Sequence, residues 1–186
     1  MSKTKIAENV KIGHIYECNF GLYKKIDGSG ETSNAIEASD GDLNYRIPHE
    51  LIKKRPVIVI GKHRGLCTVV PISTTFEDHK KEKKIPENMG IHVRIPEKDF
   101  PKNSRNYQSN IEMWAKCNLV CHVDNGRLRD LVELRADGVF SHIPAFKISD
   151  ELLLAIRKGV ILSIGMKPLL DKVEKLESDL ESIQKS

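Results

Sequence analysis

Two apolar runs, Val57–Ile60 and Leu66–Val70, are joined by only five residues, Gly61-Lys62-His63-Arg64-Gly65. This pair constrains the chain more than any other feature. Runs rich in β-branched residues on either side of a short connection with Gly at both ends predict a β-hairpin. Pro56 is tolerable as the first residue of the first strand. A cationic run, Lys53, Lys54 and Arg55, stops at Pro56, and the second strand leaves through three hydroxyl residues, Ser73, Thr74 and Thr75. With the turn at the far end, Arg55 and Ser73 meet at the open end of the pair. A guanidinium beside a hydroxyl offers directed donors to an anion such as phosphate. The alternative is an exposed edge charge and hydroxyls that merely leave the strand.

The rest of the chain supplies more short strands. "IGHIYECNF" (12–20) reads as a strand with Ile12, His14, Tyr16, Cys18 and Phe20 on one face. A long polar loop, 21–51, follows; loops of this length are functional or disordered more often than not. Further strands are predicted at "IHVRI" (91–95) and "WAKCNLVCHV". "LVELRADGVFSHI" carries Asp137-Gly138 between two β-like runs, a hairpin signal.

The pattern turns helical at Ser149, an N-cap followed by Asp150 and Glu151 in the first turn. Leu152, Ile156, Val160 and Ser163–Ile164 fall near one face, and Gly165 fits the C-terminal stop. In the tail, Leu169, Val173, Leu176, Leu180 and Ile183 recur at the a/d heptad rhythm. Two heptads are short for an independent coiled coil, so this helix either packs back on the domain or pairs with another chain. The expected architecture is mainly β with C-terminal helices (α+β), a small β-barrel over 1–166 and a heptad helix over 167–186.

Hydrophobic residues make up 39% and charged residues 30%, an ordinary globular balance. The net charge of +4 permits a polyanionic partner and equally serves solubility. No apolar run reaches the roughly 18 residues of a membrane span, so no membrane association is expected. Without an apolar secretory h-region at the N-terminus, the expected location is cytoplasmic.

"KCNLVCH" offers a Cys-x3-Cys-His run. Read as one strand, "WAKCNLVCHV" places Ala115, Cys117, Leu119, Cys121 and Val123 on an apolar face. Four residues along a strand span roughly 13 Å, too far for a shared metal or disulfide. Buried, inert thiols are expected, with no metal site. Lys116, Asn118, Val120 and His122 take the opposite face, where a cation, an amide and an imidazole suit a phosphate, a base edge or acid–base work. A solvated sheet face is the bland alternative. His49 and Glu50, before the cationic run, are further titratable candidates. P-loop, dinucleotide, zincin and nucleophile-elbow signatures are absent, which argues against those chemistries.

Taken together, "GHIYECNFG", "KRPVIVI", "GLCTVVPIST" and "WAKCNL", in this order over roughly 11–123, resemble the PemK/MazF family of toxin endoribonucleases. "SDELLLAIRKGVILSIG" is similar to that family's C-terminal helix. The resemblance implies an SH3-like barrel of the PemK/MazF/CcdB type, a homodimer, and a cognate antitoxin as partner. It implies cleavage of single-stranded RNA, often messenger, without metal or other cofactor. The ribose 2′-hydroxyl attacks the adjacent phosphate, giving a 2′,3′-cyclic phosphate and a 5′-hydroxyl end.

By motif, Arg55 falls on the family's essential arginine and Ser73 on its catalytic threonine, with Thr74 beside it. Lys116 and Asn118 fall where one branch has an Arg and an Asp. His49, Glu50 and His122, in that order, are candidates to accept the 2′-hydroxyl proton, and Lys53, Lys54, Lys116, Asn118 and His122 are candidates to bind RNA. The chain departs from the pattern in Ser73 for Thr, in His14 for an acidic residue, in neutral Asn118, in the long 21–51 loop and in the tail. The competing expectation is a barrel that acts by contact alone, as a CcdB-like gyrase inhibitor or a nucleic-acid-binding regulator.

Overall fold

The computed structural model describes residues 9–20, 54–74, 91–105, 111–134 and 138–184. Ten strands are present among them: β1 (His14–Asn19), β2 (Lys54–His63), β3 (Leu66–Ser73), β4 (His92–Ile95), β5 (Met113–Lys116), β6 (Cys121–Asp124), β7 (Leu128–Arg129), β8 (Leu131–Leu134), β9 (Phe140–Ile143) and β10 (Phe146–Lys147). Two helices follow, α1 (Asp150–Ser163) and α2 (Lys167–Gln184). All pairings are antiparallel. The main path runs β10-β1-β2-β3-β5-β4, with β6 also on β3 and β7 also on β1; β8 and β9 form a separate hairpin. This is a curled, strand-rich half-barrel with C-terminal helices, as the sequence predicts.

The β2–β3 hairpin is tighter than its sequence suggests. The strands run on to His63↔Leu66, leaving Arg64-Gly65 as the turn. Arg64 has φ 47° and Gly65 φ 81°, the two positive values that a two-residue type I′ turn requires. Gly61 therefore belongs to the strand, where a register shift between Val59 and Gly61 marks a bulge. Gly13 has a similar reason to be Gly. At φ 75°, it donates to Val59 O (2.7 Å) and accepts from Ile148 N (2.9 Å), joining the sheet to the approach of α1.

The hairpin lies between two apolar clusters. One holds Ile15, Ile58, Val70, Ile72 and Ala115 with Leu152 and Ile156 of α1. The other holds Tyr16, Cys18, Val57, Val59, Cys67 and Val69. Alternate residues of β1, β2 and β3 thus enter opposite cores. The expected apolar face of the first strand is only part of the picture: Tyr16 and Cys18 are buried, but so are Ile15 and Glu17 behind them, while Ile12 is exposed. Glu17 accepts from Arg105 Nη2 at 2.6 Å, an ion pair whose acid is 3% exposed.

The segment read as one strand from Trp114 to Val123 is interrupted. Cys117–Leu119 form a 3₁₀ turn between β5 and β6. Both strands pair with β3. Three residues of β3 separate Ile72 from Val69, whereas six separate their partners Ala115 and Cys121. The three extra residues form the turn, and the alternation resets there. Lys116, just before the turn, is buried, while Asn118 and His122, within and beyond it, are exposed. Cys117 enters the first core and Cys121 packs against the second. The separation of the two thiols therefore comes from opposite cores rather than from an extended chain.

Helix α1 begins as expected: Ser149 Oγ accepts from Leu152 N at 3.3 Å. Leu152, Ile156 and Gly159 are buried; Val160 is half-buried, and Ile164, expected on the same face, is 60% exposed because the helix has already ended. Gly165, at φ 77°, donates to Leu162 O and Met166 N donates to Ile161 O, closing the helix C-terminus. Helix α2 carries Pro168 in its first turn, where proline is tolerated. Its apolar stripe, Leu169, Val173, Leu176, Leu180 and Ile183, is 42–69% exposed, so the stripe does not pack back on the described residues. Lys158 and Glu174, 3.0 Å apart, link the two helices.

A candidate functional site at the open end of the hairpin

The β2–β3 ladder ends at Val57↔Pro71. Arg55 and Ser73 stand two residues further along their own strands, on the same side as Val57 and Pro71, since side chains alternate. The open end expected from the sequence is therefore real: cation and hydroxyl occupy one face and one end. Arg55 is held on its other side by β1, where it pairs with Cys18. Its Nε is buried and finds no hydrogen-bond partner among the described residues. A buried guanidinium N–H without a partner is costly, and an anionic group arriving at this end would satisfy it. Lys54, opposite Asn19, and Thr74 are exposed at the same end.

On its far side, β3 continues into β5 and β4. Ser73 is the cross-strand partner of Trp114, and Trp114 that of Arg94. Lys116 partners His92 one row along, and both are buried. Met113 and Ala115 point into the first core, so Trp114 and Lys116 take the opposite face, the one that carries Ser73. Lys116 thus belongs with the Arg55–Ser73 face.

Asn118 and His122 are exposed on the far side of the 3₁₀ turn's start. They share a cleft of about 540 Å³ with Phe20, Arg127 and the run between them. Arg55 and Ser73 are not among its lining residues. The sequence reading grouped Lys116, Asn118 and His122 on one strand face; the 3₁₀ turn divides them. His49, Glu50 and Lys53 lie outside the described residues, as does the 21–51 loop.

The thiols have the environment expected of core cysteines. Burial pushes Cys18 and Cys117 up from 9.0 to about 12, and raises Cys67 and Cys121 as well. For Cys18, the neighbouring Cys121 adds to the rise, and Arg127 opposes it. Thiols held protonated in this way are poor nucleophiles and poor ligands.

The sequence reading did not single out Trp114 or Arg94. The available signal was the polar alternation of "IHVRI", which puts His92 and Arg94 on one face. Their proximity to Ser73 depends on strand order, which no local pattern encodes.

The protein is thus a small curled antiparallel half-barrel, backed by a helix and carrying an arginine and a hydroxyl at the open end of its central hairpin. The chain belongs to the PemK-like, MazF-like toxins of type II toxin–antitoxin systems, whose family profile matches residues 41–145. The match takes in the hairpin, β4 to β9 and the 21–51 loop's last residues, but not the opening strand, which the sequence reading had included. The chain is also 34% identical over 163 residues to the uncharacterized protein YifN of Escherichia coli (strain K12), covering 87% of this chain and 95% of that protein. No helix among the described residues is long and apolar enough to cross a membrane.

Proposed function

We propose that the protein is the endoribonuclease toxin of a toxin–antitoxin pair, cutting single-stranded RNA, messenger RNA included, without metal. The observation that carries this reading is the placement of Arg55 and Ser73 on one face at the open end of the β2–β3 ladder, with Arg55 Nε buried and unpartnered among the described residues.

In this mechanism the 2′-hydroxyl attacks the adjacent phosphate, its proton passes to a base, and the P–O5′ bond breaks. A 2′,3′-cyclic phosphate forms, and the departing 5′ oxygen takes up a proton to become a hydroxyl. Charge accumulates on the phosphorane oxygens, and preorganised donors aimed at that charge are the largest catalytic contribution available. Arg55 supplies the guanidinium, and Ser73, with Thr74 beside it, supplies hydroxyl donors. His49 and Glu50 are the candidates for the base; His122, the third candidate from the sequence, lines a cleft that does not include Arg55 or Ser73 and is assigned to RNA contact instead. Lys53, Lys54 and Lys116 would attract the backbone, and Asn118 and His122, in their own cleft, would contact bases or sugars outside the scissile step. The working form is a cytoplasmic homodimer, silenced by an acidic antitoxin segment that covers the basic face.

Cleavage of a structure-poor RNA in EDTA, with the product 5′ ends mapped, tests this reading. A barrel that acts only by contact would leave every RNA intact.

A further inference from the structure

We propose that Trp114 and Arg94 continue the site across the sheet, Trp114 stacking on a base next to the scissile phosphate and Arg94 binding a flanking phosphate of the same strand. The proposal rests on the reading of Arg55 and Ser73 as the phosphate site, and extends it to two residues with no part in the chemistry itself.

The argument starts from register. Ser73 partners Trp114 across β3–β5, and Trp114 partners Arg94 across β5–β4. Directly opposed residues project to the same face. Arg55, Ser73, Trp114 and Arg94 therefore form one row across four strands: cation, hydroxyl, aromatic, cation. With strands about 4.8 Å apart, Trp114 is one strand from the hydroxyl and Arg94 is one strand beyond it. That is the reach of the nucleotides adjoining the cut, not of the cut itself.

The residue types suit a single strand rather than a duplex. Any unpaired base can stack on an indole face, and interleaved cations follow the backbone. Trp114 is half-buried, so part of its surface stays open to solvent. Arg94 is well exposed and already pairs with a carboxylate, Glu112, at 2.9 Å with side chains 65% and 54% exposed. An ion pair this open contributes little, and a phosphate can replace the carboxylate at small cost. One row along, Lys116 and His92 are cross-strand partners on the same face, both buried.

The chain has one tryptophan, so its tryptophan emission, excited beyond the tyrosine band, reports on Trp114 alone. The experiment titrates the full-length wild-type protein with a fluorescently labelled 2′-O-methyl oligoribonucleotide of mixed sequence. Such an oligonucleotide cannot be cut through the 2′ position. Anisotropy of the label follows binding while tryptophan emission is recorded. The expected result is saturable binding with quenching of Trp114 that tracks it. Trp114→Ala should weaken binding about tenfold or more, on the scale of one lost base stack, and Trp114→Phe should recover most of it. Arg94→Ala should lower the slope of log K against log salt by about 0.7, one single-strand phosphate contact.

Saturable binding with unchanged tryptophan emission overturns the proposal, whether or not the protein cuts RNA. Quenching in a protein that cuts no RNA would support the row and count against the ribonuclease reading. If the oligonucleotide does not bind at all, both fail. Equal weakening in Trp114→Phe and Trp114→Ala, with both folded by circular dichroism, also contradicts stacking.

Discussion

Asp99 accepts from both the backbone N–H and the hydroxyl of Ser149, at 2.6 and 3.1 Å, while Ser149 Oγ itself caps Leu152 N. The carboxylate is 3% exposed. It fastens the segment after β4 to the first turn of α1, the helix that supplies Leu152 and Ile156 to the first core.

Asp99→Ala removes a charged acceptor and leaves two donors at a part-buried site. The expected cost is about 2–3 kcal/mol, by the usual scale for hydrogen bonds to charged groups. Ser149→Ala should cost about 1 kcal/mol, as for a lost cap. Urea denaturation of the three proteins checks the order. Equal stability of Asp99→Ala and wild type would show that the bridge contributes nothing.

The thiols predict the effect of alkaline pH. Cys18 and Cys117 are at about 12 when folded, against 9.0 ordinarily. Above pH 9 the unfolded chain loses these protons while the folded chain keeps them. This contribution to stability is therefore fully present below about pH 8 and declines as pH rises from 9 towards 12. Tyr16, raised by burial, acts in the same direction. At pH 8.5, iodoacetamide should label Cys117 of the native protein far more slowly than that of the urea-unfolded chain. Comparable rates would mean that Cys117 is not held in the core.

Helix α2 predicts the effect of truncation. Its stripe is exposed, and the Lys158–Glu174 pair that ties it to α1 is itself open to solvent, worth at most about 1 kcal/mol. A chain ending at Met166 should fold and melt within about 4 °C of the full protein. Loss of cooperative melting would show that the last helix is part of the barrel's core.

What the sequence revealed and what it concealed divide along lines of range. The hairpin, the Asp137-Gly138 pair of strands and the Ser149 cap were legible because each is a local pattern. Even so, the turn settled on Arg64-Gly65, since strand pairing overrode the Gly61 signal. The 3₁₀ turn at Cys117–Leu119 was invisible: no Gly or Pro marks it, and it exists because β3 must be paired first by β5 and then by β6. The bonds of Ser149 to Asp99 and of Arg105 to Glu17 join residues 50 and 88 apart in sequence, beyond any periodicity. For the site, Arg55 and Ser73 could be placed because hairpin geometry relates them, whereas Trp114 reaches Ser73 only through strand order. His49 and Glu50, proposed from their place before the cationic run, fall outside the described residues.

The most direct test of the central claim is cleavage of a long, structure-poor single-stranded RNA in EDTA by the wild type, Arg55→Ala and Ser73→Ala. The account predicts discrete cuts with 5′-hydroxyl ends, reduced by roughly 10²–10³ in Arg55→Ala, the usual loss for one transition-state donor. A loss in Arg55→Ala alone would keep the enzyme and transfer the hydroxyl role to Thr74. RNA left intact by antitoxin-free wild-type protein, or cut equally well by Arg55→Ala, would contradict the account.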